Sequence, residues 1–110
     1  DRSIYRSFIA RGKRMDILVT YDVNTESKEG RRRLRKVAIA CANYGQRVQK
    51  SVFECSVNEM QFEKLQAELK RIIDKEIDSI RIYRLAEPRE RYVEVFGVNL
   101  YVDFKKPMVM

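Results

Sequence analysis

The residue best suited to chemistry is Asp22, the acid that closes the short run from Asp16 to Asp22 (DILVTYD). The run is β-branched and aromatic and is apolar on both faces, which predicts a central strand. A carboxylate that ends such a strand can bind Mg²⁺ or Mn²⁺, which take oxygen ligands and often keep several waters. One carboxylate alone is a poor site, whereas two copies of Asp22 brought together by a twofold axis would favour a bound cation. The alternative is that Asp22 only caps the following turn.

Basic residues are concentrated in the next segment. Between Lys28 and Lys50 the chain has eight Lys and Arg residues and one acid, Glu29. Clustered guanidinium groups attract phosphates, and they contact the backbone of a nucleic acid rather than its sequence. The segment therefore predicts a phosphate-binding surface, and the alternative is a solvated helix face. The cluster consists of Arg31, Arg32, Arg33, Arg35, Lys36, Arg47 and Lys50.

The chain has no histidine. This excludes Ser-His and Cys-His nucleophile pairs, histidine zinc sites and RNA cleavage by paired histidines. Any catalysis must depend on carboxylates, lysines, tyrosines or a metal. Ser51 is not expected to be a nucleophile, because no histidine or obvious lysine is available as its base. Tyr44 and Tyr83 lie among charged residues and could stack on bases, with core packing as the alternative.

Five strands and two helices are predicted to position these residues. The order strand, helix, strand, strand, helix, strand folds most simply as an α+β, ferredoxin-like βαββαβ sandwich. The extra C-terminal strand is expected to pair with a sheet edge of a second subunit in a homodimer. Gly45 is predicted to be a left-handed cap of the first helix, and Asn58 with Gln61 a capping box of the second. The predicted ranges are 16–22, 30–43, 46–57 with a break near Lys50 and Ser51, 58–76, 79–85 and 91–98.

The 110 residues are expected to form one domain preceded by a leader. Residues 1–14 lack periodicity and carry +4 of the formal net charge of +7, so we expect a tag or upstream sequence there and a single domain over 15–110. No apolar run approaches the roughly 20 residues needed to span a bilayer, so no membrane association is expected. Cys41 and Cys55 are expected to be buried thiols of a cytoplasmic protein.

Four segments, in this order, resemble the CRISPR-associated Cas-two family, the small partner of the Cas-one integrase. They are Tyr-Asp-Val at 21–23, the arginine-rich helix start at 30–34, YGQRVQKSVFEC at 44–55 and DSIRIYRL at 78–85. The resemblance covers nearly all of residues 15–98. It implies a ferredoxin-like subunit in a symmetric homodimer, in which the two Asp22 side chains face one another and can hold Mg²⁺ or Mn²⁺.

The resemblance also implies a role in CRISPR spacer acquisition, with metal-dependent endonuclease activity on double-stranded DNA or single-stranded RNA. The alternative within the family is a non-catalytic dimeric scaffold that bridges Cas-one integrase dimers on a prespacer duplex, with the segment 101–110 as a docking strand. A toxin-like ribonuclease of the same architecture is a third possibility. Residues matching the family's catalytic or nucleic-acid positions are Tyr21, Asp22, Arg31, Arg33, Arg47, Ser51 and Phe53, and alternation also predicts Phe53 in the core.

Overall fold

The computed structural model describes residues 13–86 and 89–98. Four strands form one sheet in the order β2-β3-β1-β4, with every neighbouring pair antiparallel. This is the α+β, ferredoxin-like arrangement that the sequence predicts, and β1 is central in it. The elements are β1 Met15–Asp22, α1 Lys28–Ala42, β2 Gly45–Gln49, β3 Val52–Val57, α2 Glu59–Ile72, β4 Ser79–Leu85 and the one-turn helix α3 Arg89–Tyr92.

The core lies between the sheet and the two long helices. Ile17, Val19 and Tyr21 are buried on one face of β1, because side chains alternate along a strand. The helices contribute a buried stripe to the same core, so both long helices pack on one face of the sheet. That stripe consists of Val37, Ala40 and Cys41 from α1 and of Phe62, Leu65 and Leu69 from α2.

Both helix starts have polar caps. The Ser27 hydroxyl accepts a hydrogen bond from the Gly30 amide at 3.0 Å, so α1 begins two residues before the predicted start. The capping box of α2 is confirmed. Asn58 Oδ1 accepts from the Gln61 amide at 2.8 Å, and Gln61 Oε1 accepts from the Asn58 amide at 3.0 Å.

The end of α2 differs from the prediction. The helix ends at Ile72 rather than near Glu76. The amide of Asp74 donates to the Asp78 carboxylate, Oδ2, at 2.9 Å instead of to a helical carbonyl. The side chain of Asp78 therefore ends the helix early, and periodicity alone does not show this.

Gly45 is not a left-handed cap, and that prediction was wrong. The helix α1 is followed by Asn43 in the right-handed conformation, and among the described residues only Gly97 has a positive φ. Gly45 instead begins β2, where a Cβ would overlap the carbonyl oxygen of Glu54. Glycine is needed there because β2 lies unusually close to β3. The predicted break is confirmed, since residues 50–51 separate β2 from β3.

The fifth strand predicted over Arg91–Val98 is absent from the single chain. Residues 91 and 92 end α3, and 93–98 form no strand. An isolated strand has no partner for its backbone groups, and the prediction assigned that pairing to a second subunit, which stays a prediction. The proposed docking strand and residues 1–12 of the leader lie outside the described residues. Arg14, which we placed in the leader, donates to Gln61 Oε1 at 3.2 Å and to the Ser56 carbonyl at 3.3 Å.

Cys41 and Cys55 are buried free thiols, as predicted. Burial raises the pKa of Cys41 to about 12 and that of Cys55 to about 11. The thiols therefore stay protonated near neutral pH, which makes them core residues rather than nucleophiles. No helix in the described part of the chain is long and apolar enough to cross a membrane.

Candidate functional site

Asp22 ends β1 with an exposed side chain. Alternation places Asp22 with Leu18 and Thr20 on the face of the sheet opposite the helices, which we call the outer face. The adjacent β4 residue in the register is Ser79. The outer face therefore presents a carboxylate at the end of the central strand, open to approach from solvent.

Tyr21 and Phe53 lie on the other side of the sheet. Both side chains are buried, and their rings stack with centroids 6.3 Å apart. The Tyr21 ring, at a position that matches one of the family's active positions, thus points away from the outer face that carries Asp22, and its predicted catalytic role stays a prediction. The core position predicted for Phe53 from its alternation is confirmed.

Ser51 is close to the end of β1 through its main chain. Its carbonyl oxygen accepts a hydrogen bond from the Tyr21 amide at 3.1 Å. This bond joins the β2–β3 turn to the residue that precedes Asp22. The structure therefore gives Ser51 a structural contact at the site, and its predicted contact with nucleic acid stays a prediction.

A cleft of about 1110 Å³ lies between α1 and the edge strand β2, and its lining also includes Glu54 and Ser56 of β3. Arg31 and Arg35 contribute from one side and Arg47 from β2, where its guanidinium carbon lies 5.4 Å from the centre of the Phe53 ring. The apolar part of its lining is Leu34, Ala38, Ile39, Ala42 and Tyr44. We call this the basic cleft. It gathers three members of the predicted phosphate-binding cluster, Arg31, Arg35 and Arg47.

Arg31 also contacts the loop that follows Asp22. Its Nη1 donates to the Thr25 carbonyl at 3.2 Å. Within the loop the Asn24 side chain accepts from the Glu26 amide at 3.0 Å, which closes a tight turn. A Cβ at Gly30 would overlap the Asn24 carbonyl oxygen, so the helix start and the loop pack closely together.

Arg33 has different surroundings from Arg31. Its Nε donates to Asp78 Oδ2 at 2.7 Å and its Nη2 to Asp78 Oδ1 at 3.4 Å. The Asp78 side chain is 0% exposed and that of Arg33 is 17% exposed. Burial acts to raise the pKa of Asp78, but hydrogen bonds from Arg33, Asp74 and Asn24 outweigh it and hold this pKa below its ordinary value. The predicted phosphate ligand Arg33 is thus engaged in a buried ion pair.

Asp78 is the residue that the sequence reasoning missed. It stands 45 positions from Arg33, so no local pattern connects the two. The available signal was an acid placed directly before the alternating strand SIRIYRL. A buried acid at the entry to a strand needs a partner, and the arginine cluster offers several.

One chain supplies a single carboxylate at the end of β1. In the described ranges no group of three or more His, Cys, Asp and Glu side chains is arranged to hold a metal ion. Asp22 has the hard oxygen donors that Mg²⁺ and Mn²⁺ prefer. A metal site at Asp22 therefore fits this chain only if a second copy contributes its own carboxylate.

The fold and the site define a ferredoxin-like domain that carries a strand-end carboxylate on its open sheet face and a basic cleft beside its first helix. The chain belongs to the family of CRISPR associated protein Cas2, whose model matches residues 15–92. The resemblance found in the four sequence segments is thereby confirmed.

Close relatives carry nuclease names. The chain is 59% identical over 96 residues to CRISPR-associated endoribonuclease Cas2 1 of Moorella thermoacetica, covering 87% of this chain and 100% of the relative. It is 52% identical over 95 residues to CRISPR-associated endonuclease Cas2 of Halalkalibacterium halodurans, covering 86% and 99%. The crystal structure of Streptococcus pyogenes Cas2 at pH 6.5 is similar with a TM-score of 0.69 and 55% identity, covering 76% of this chain and 100% of that one.

Proposed function

We propose that the chain is a metal-dependent endonuclease that acts in CRISPR spacer acquisition as a homodimer. The observation that carries this proposal is the position of Asp22, exposed at the end of the central strand on the open outer face. The endonuclease and endoribonuclease names of the relatives support the same reaction class. The substrate is DNA or RNA, since phosphate contacts alone do not distinguish the two.

The proposed dimer forms across the outer face. Leu18 lies there between Tyr83 of β4 and Glu54 of β3 in the sheet register, which gives a partly apolar patch at the middle of the face. Asp22 lies on the same face, four residues further along β1. A twofold axis that passes close to Asp22 on this face would bring the two Asp22 side chains toward each other.

In the proposed reaction, Asp22 of each subunit would hold Mg²⁺ or Mn²⁺, which supplies an activated water and charge stabilisation at the phosphate. The protein's own part is to bind and orient the nucleic acid. Arg31, Arg35 and Arg47 offer guanidinium groups that fit backbone phosphates. Tyr21 acts through packing, because its buried ring supports the strand that carries Asp22.

The second candidate function is a non-catalytic scaffold that binds duplex backbone and bridges dimers of the Cas-one integrase. The separation of the two features favours it. Within one subunit the basic cleft lies between α1 and the edge strand β2, whereas Asp22 ends the central strand β1. A scaffold needs the cleft and does not need the carboxylate. The scaffold and the nuclease therefore differ in what they require of Asp22. With its free buried thiols, either fits a reducing cytoplasm.

Cleavage of labelled duplex DNA and single-stranded RNA with Mg²⁺ or Mn²⁺, across a pH series, tests the proposal. We expect Asp22→Ala to abolish cleavage while it retains binding. Asp16→Asn is the matched control, since Asp16 lies on the same face of β1 and the variant loses the same charge. Equal cleavage by wild type and Asp22→Ala would show that the cleavage does not depend on Asp22 and would favour a contaminating nuclease. No cleavage by either protein, with duplex binding intact, would favour the scaffold.

A further inference from the structure

The carboxylate of Asp78 is fully engaged. Oδ1 accepts from the Asn24 amide at 2.9 Å and from Arg33 Nη2, and Oδ2 accepts from Arg33 Nε at 2.7 Å and from the Asp74 amide at 2.9 Å. One buried side chain thus joins the β1–α1 loop, the helix α1 and the α2–β4 loop. We call this set of hydrogen bonds the Asp78 brace.

The brace surrounds the end of the strand that carries Asp22. Asn24, two residues after Asp22, donates its amide to Asp78. Ser79, one residue after Asp78, pairs with Asp22 in the β1–β4 register. The brace therefore fixes the backbone just beyond Asp22 and the strand beside it.

The far end of the same loop is fixed separately. Arg31 donates to the Thr25 carbonyl, and Ser27 caps the helix start. The loop consequently has anchors at both ends, and the anchor nearer to Asp22 is the brace. Its loss should change the loop next to Asp22 before it changes the helix cap.

Arg33 cannot serve the brace and a phosphate equally well. Its Nε and Nη2 both donate hydrogen bonds to Asp78, and its side chain is mostly buried. Turning the guanidinium toward a nucleic acid would leave a buried carboxylate without its counter-charge. Arg35, on the same helix, is exposed and lines the basic cleft.

We infer that Asp78 and Arg33 are positioning residues of the Asp22 site, and that Arg33 supports the proposed reaction by holding the loop after Asp22 rather than by contacting phosphate. The inference rests on the proposed function for its catalytic part. Its structural part, that Arg33 is withheld from the nucleic acid, stands independently of cleavage.

The first test compares Asp78→Asn and Arg33→Gln, two substitutions with opposite changes in charge. Positioning predicts that both lower kcat by about tenfold or more with little change in KM, because misplacement of reacting groups costs rate rather than binding. The double variant should be no worse than the more affected single variant, since both break one interaction. A phosphate contact by Arg33 predicts instead a raised KM for Arg33→Gln and a KM that stays equal or falls for Asp78→Asn, and this result would overturn the inference.

The second test needs no cleavage and uses duplex DNA binding at several salt concentrations. The slope of log affinity against log salt becomes shallower by about 0.9 for each phosphate that the protein no longer neutralises. We expect Arg33→Gln to keep the wild-type slope and the matched variant Arg35→Gln to reduce it. Equal reductions in the two variants would overturn the inference.

Amide hydrogen exchange separates a local effect from general destabilisation. We expect Arg33→Gln to speed exchange in residues 23–27 by about tenfold or more beyond the change seen in the amides of β1 and β3, which report the general loss of stability. Unchanged exchange in 23–27 would count against the brace. If the wild-type protein does not cleave at all, the proposed nuclease function fails, whereas the salt and exchange results still decide whether Arg33 belongs to the brace.

Discussion

Arg31, Arg32 and Arg33 follow one another in the chain and have three different surroundings. Successive residues of a helix point about 100° apart, so neighbours in sequence do not share a face. Arg31 reaches the loop carbonyl of Thr25, Arg32 is exposed, and Arg33 enters the pair with Asp78. The sequence predicts the charge of this region, but the roles of its members depend on the rotation of α1 and on an acid far along the chain.

The ion pair between Asp78 and Arg33 makes the free energy of unfolding depend on pH. The folded-state pKa of Asp78 lies below its ordinary value of 3.8, so the stabilisation is present above that value and is lost as pH falls through the lower folded pKa. We expect Asp78→Asn to lower the free energy of unfolding by about 3 kcal/mol at pH 7, as for other buried ion pairs that lose one partner. Urea unfolding followed by circular dichroism at about pH 7 and about pH 3 measures both effects.

The same experiment has an internal check. The difference in the free energy of unfolding between wild type and Asp78→Asn should be smaller at the acidic pH than at the neutral one, because protonation removes the wild-type carboxylate's charge. An equal difference at both pH values would show that the charge of Asp78 contributes nothing, and that the loss comes from packing.

At the scale of elements, sequence patterns predict most of the fold. The capping box, the β2–β3 break and the bounds of β4 all come from local signals, since the residues that set them are neighbours in the chain. The end of α2 and the close approach at Gly45 were missed. Asp78, in the loop that follows α2, determines the first, and Glu54 of β3 determines the second. Helical and strand periodicity reports neither contact.

The cap of α2 provides a matched pair of substitutions. Asn58→Ala removes the side-chain acceptor of the capping box, and we expect a loss of about 1 kcal/mol in the free energy of unfolding. Asn43→Ala is the control, because Asn43 ends α1 through its backbone amide rather than its side chain. Urea unfolding of the two variants should differ by about that amount. Equal losses would show that the cap side chain of Asn58 is not what stabilises α2.

The whole molecule presents one covered and one open face of its sheet. Sequence order was enough to predict the strand arrangement, because a βαββαβ chain has few compact solutions. The strand predicted over 91–98 was expected to pair with a second molecule, and residues 93–98 form no strand in the single chain. Its pairing with a partner stays a prediction.

The open face predicts the oligomeric state. We expect light scattering at micromolar concentration to give twice the mass of one chain, and Leu18→Arg to give the monomer, because a charge in the middle of the proposed interface would lose its water. Ile39→Arg is the control, since it adds the same charge at an exposed position of α1, on the other side of the sheet. A wild-type monomer, or a Leu18→Arg dimer, would place the contact elsewhere.

The central position of β1 also bears on how the protein is synthesised. Of the four strands, β1 leaves the ribosome first, yet its neighbours β3 and β4 follow much later, and Asp16 pairs with Leu85. Until β3 has been synthesised, the apolar strand β1 has neither of its neighbours in the sheet, and other chains and chaperones compete for it. The hydrogen bonds that Asn24 and Arg33 donate to Asp78 likewise cannot form until Asp78 has been synthesised. Synthesis of β4 is thus the step at which the sheet and the loop beside Asp22 can both be completed.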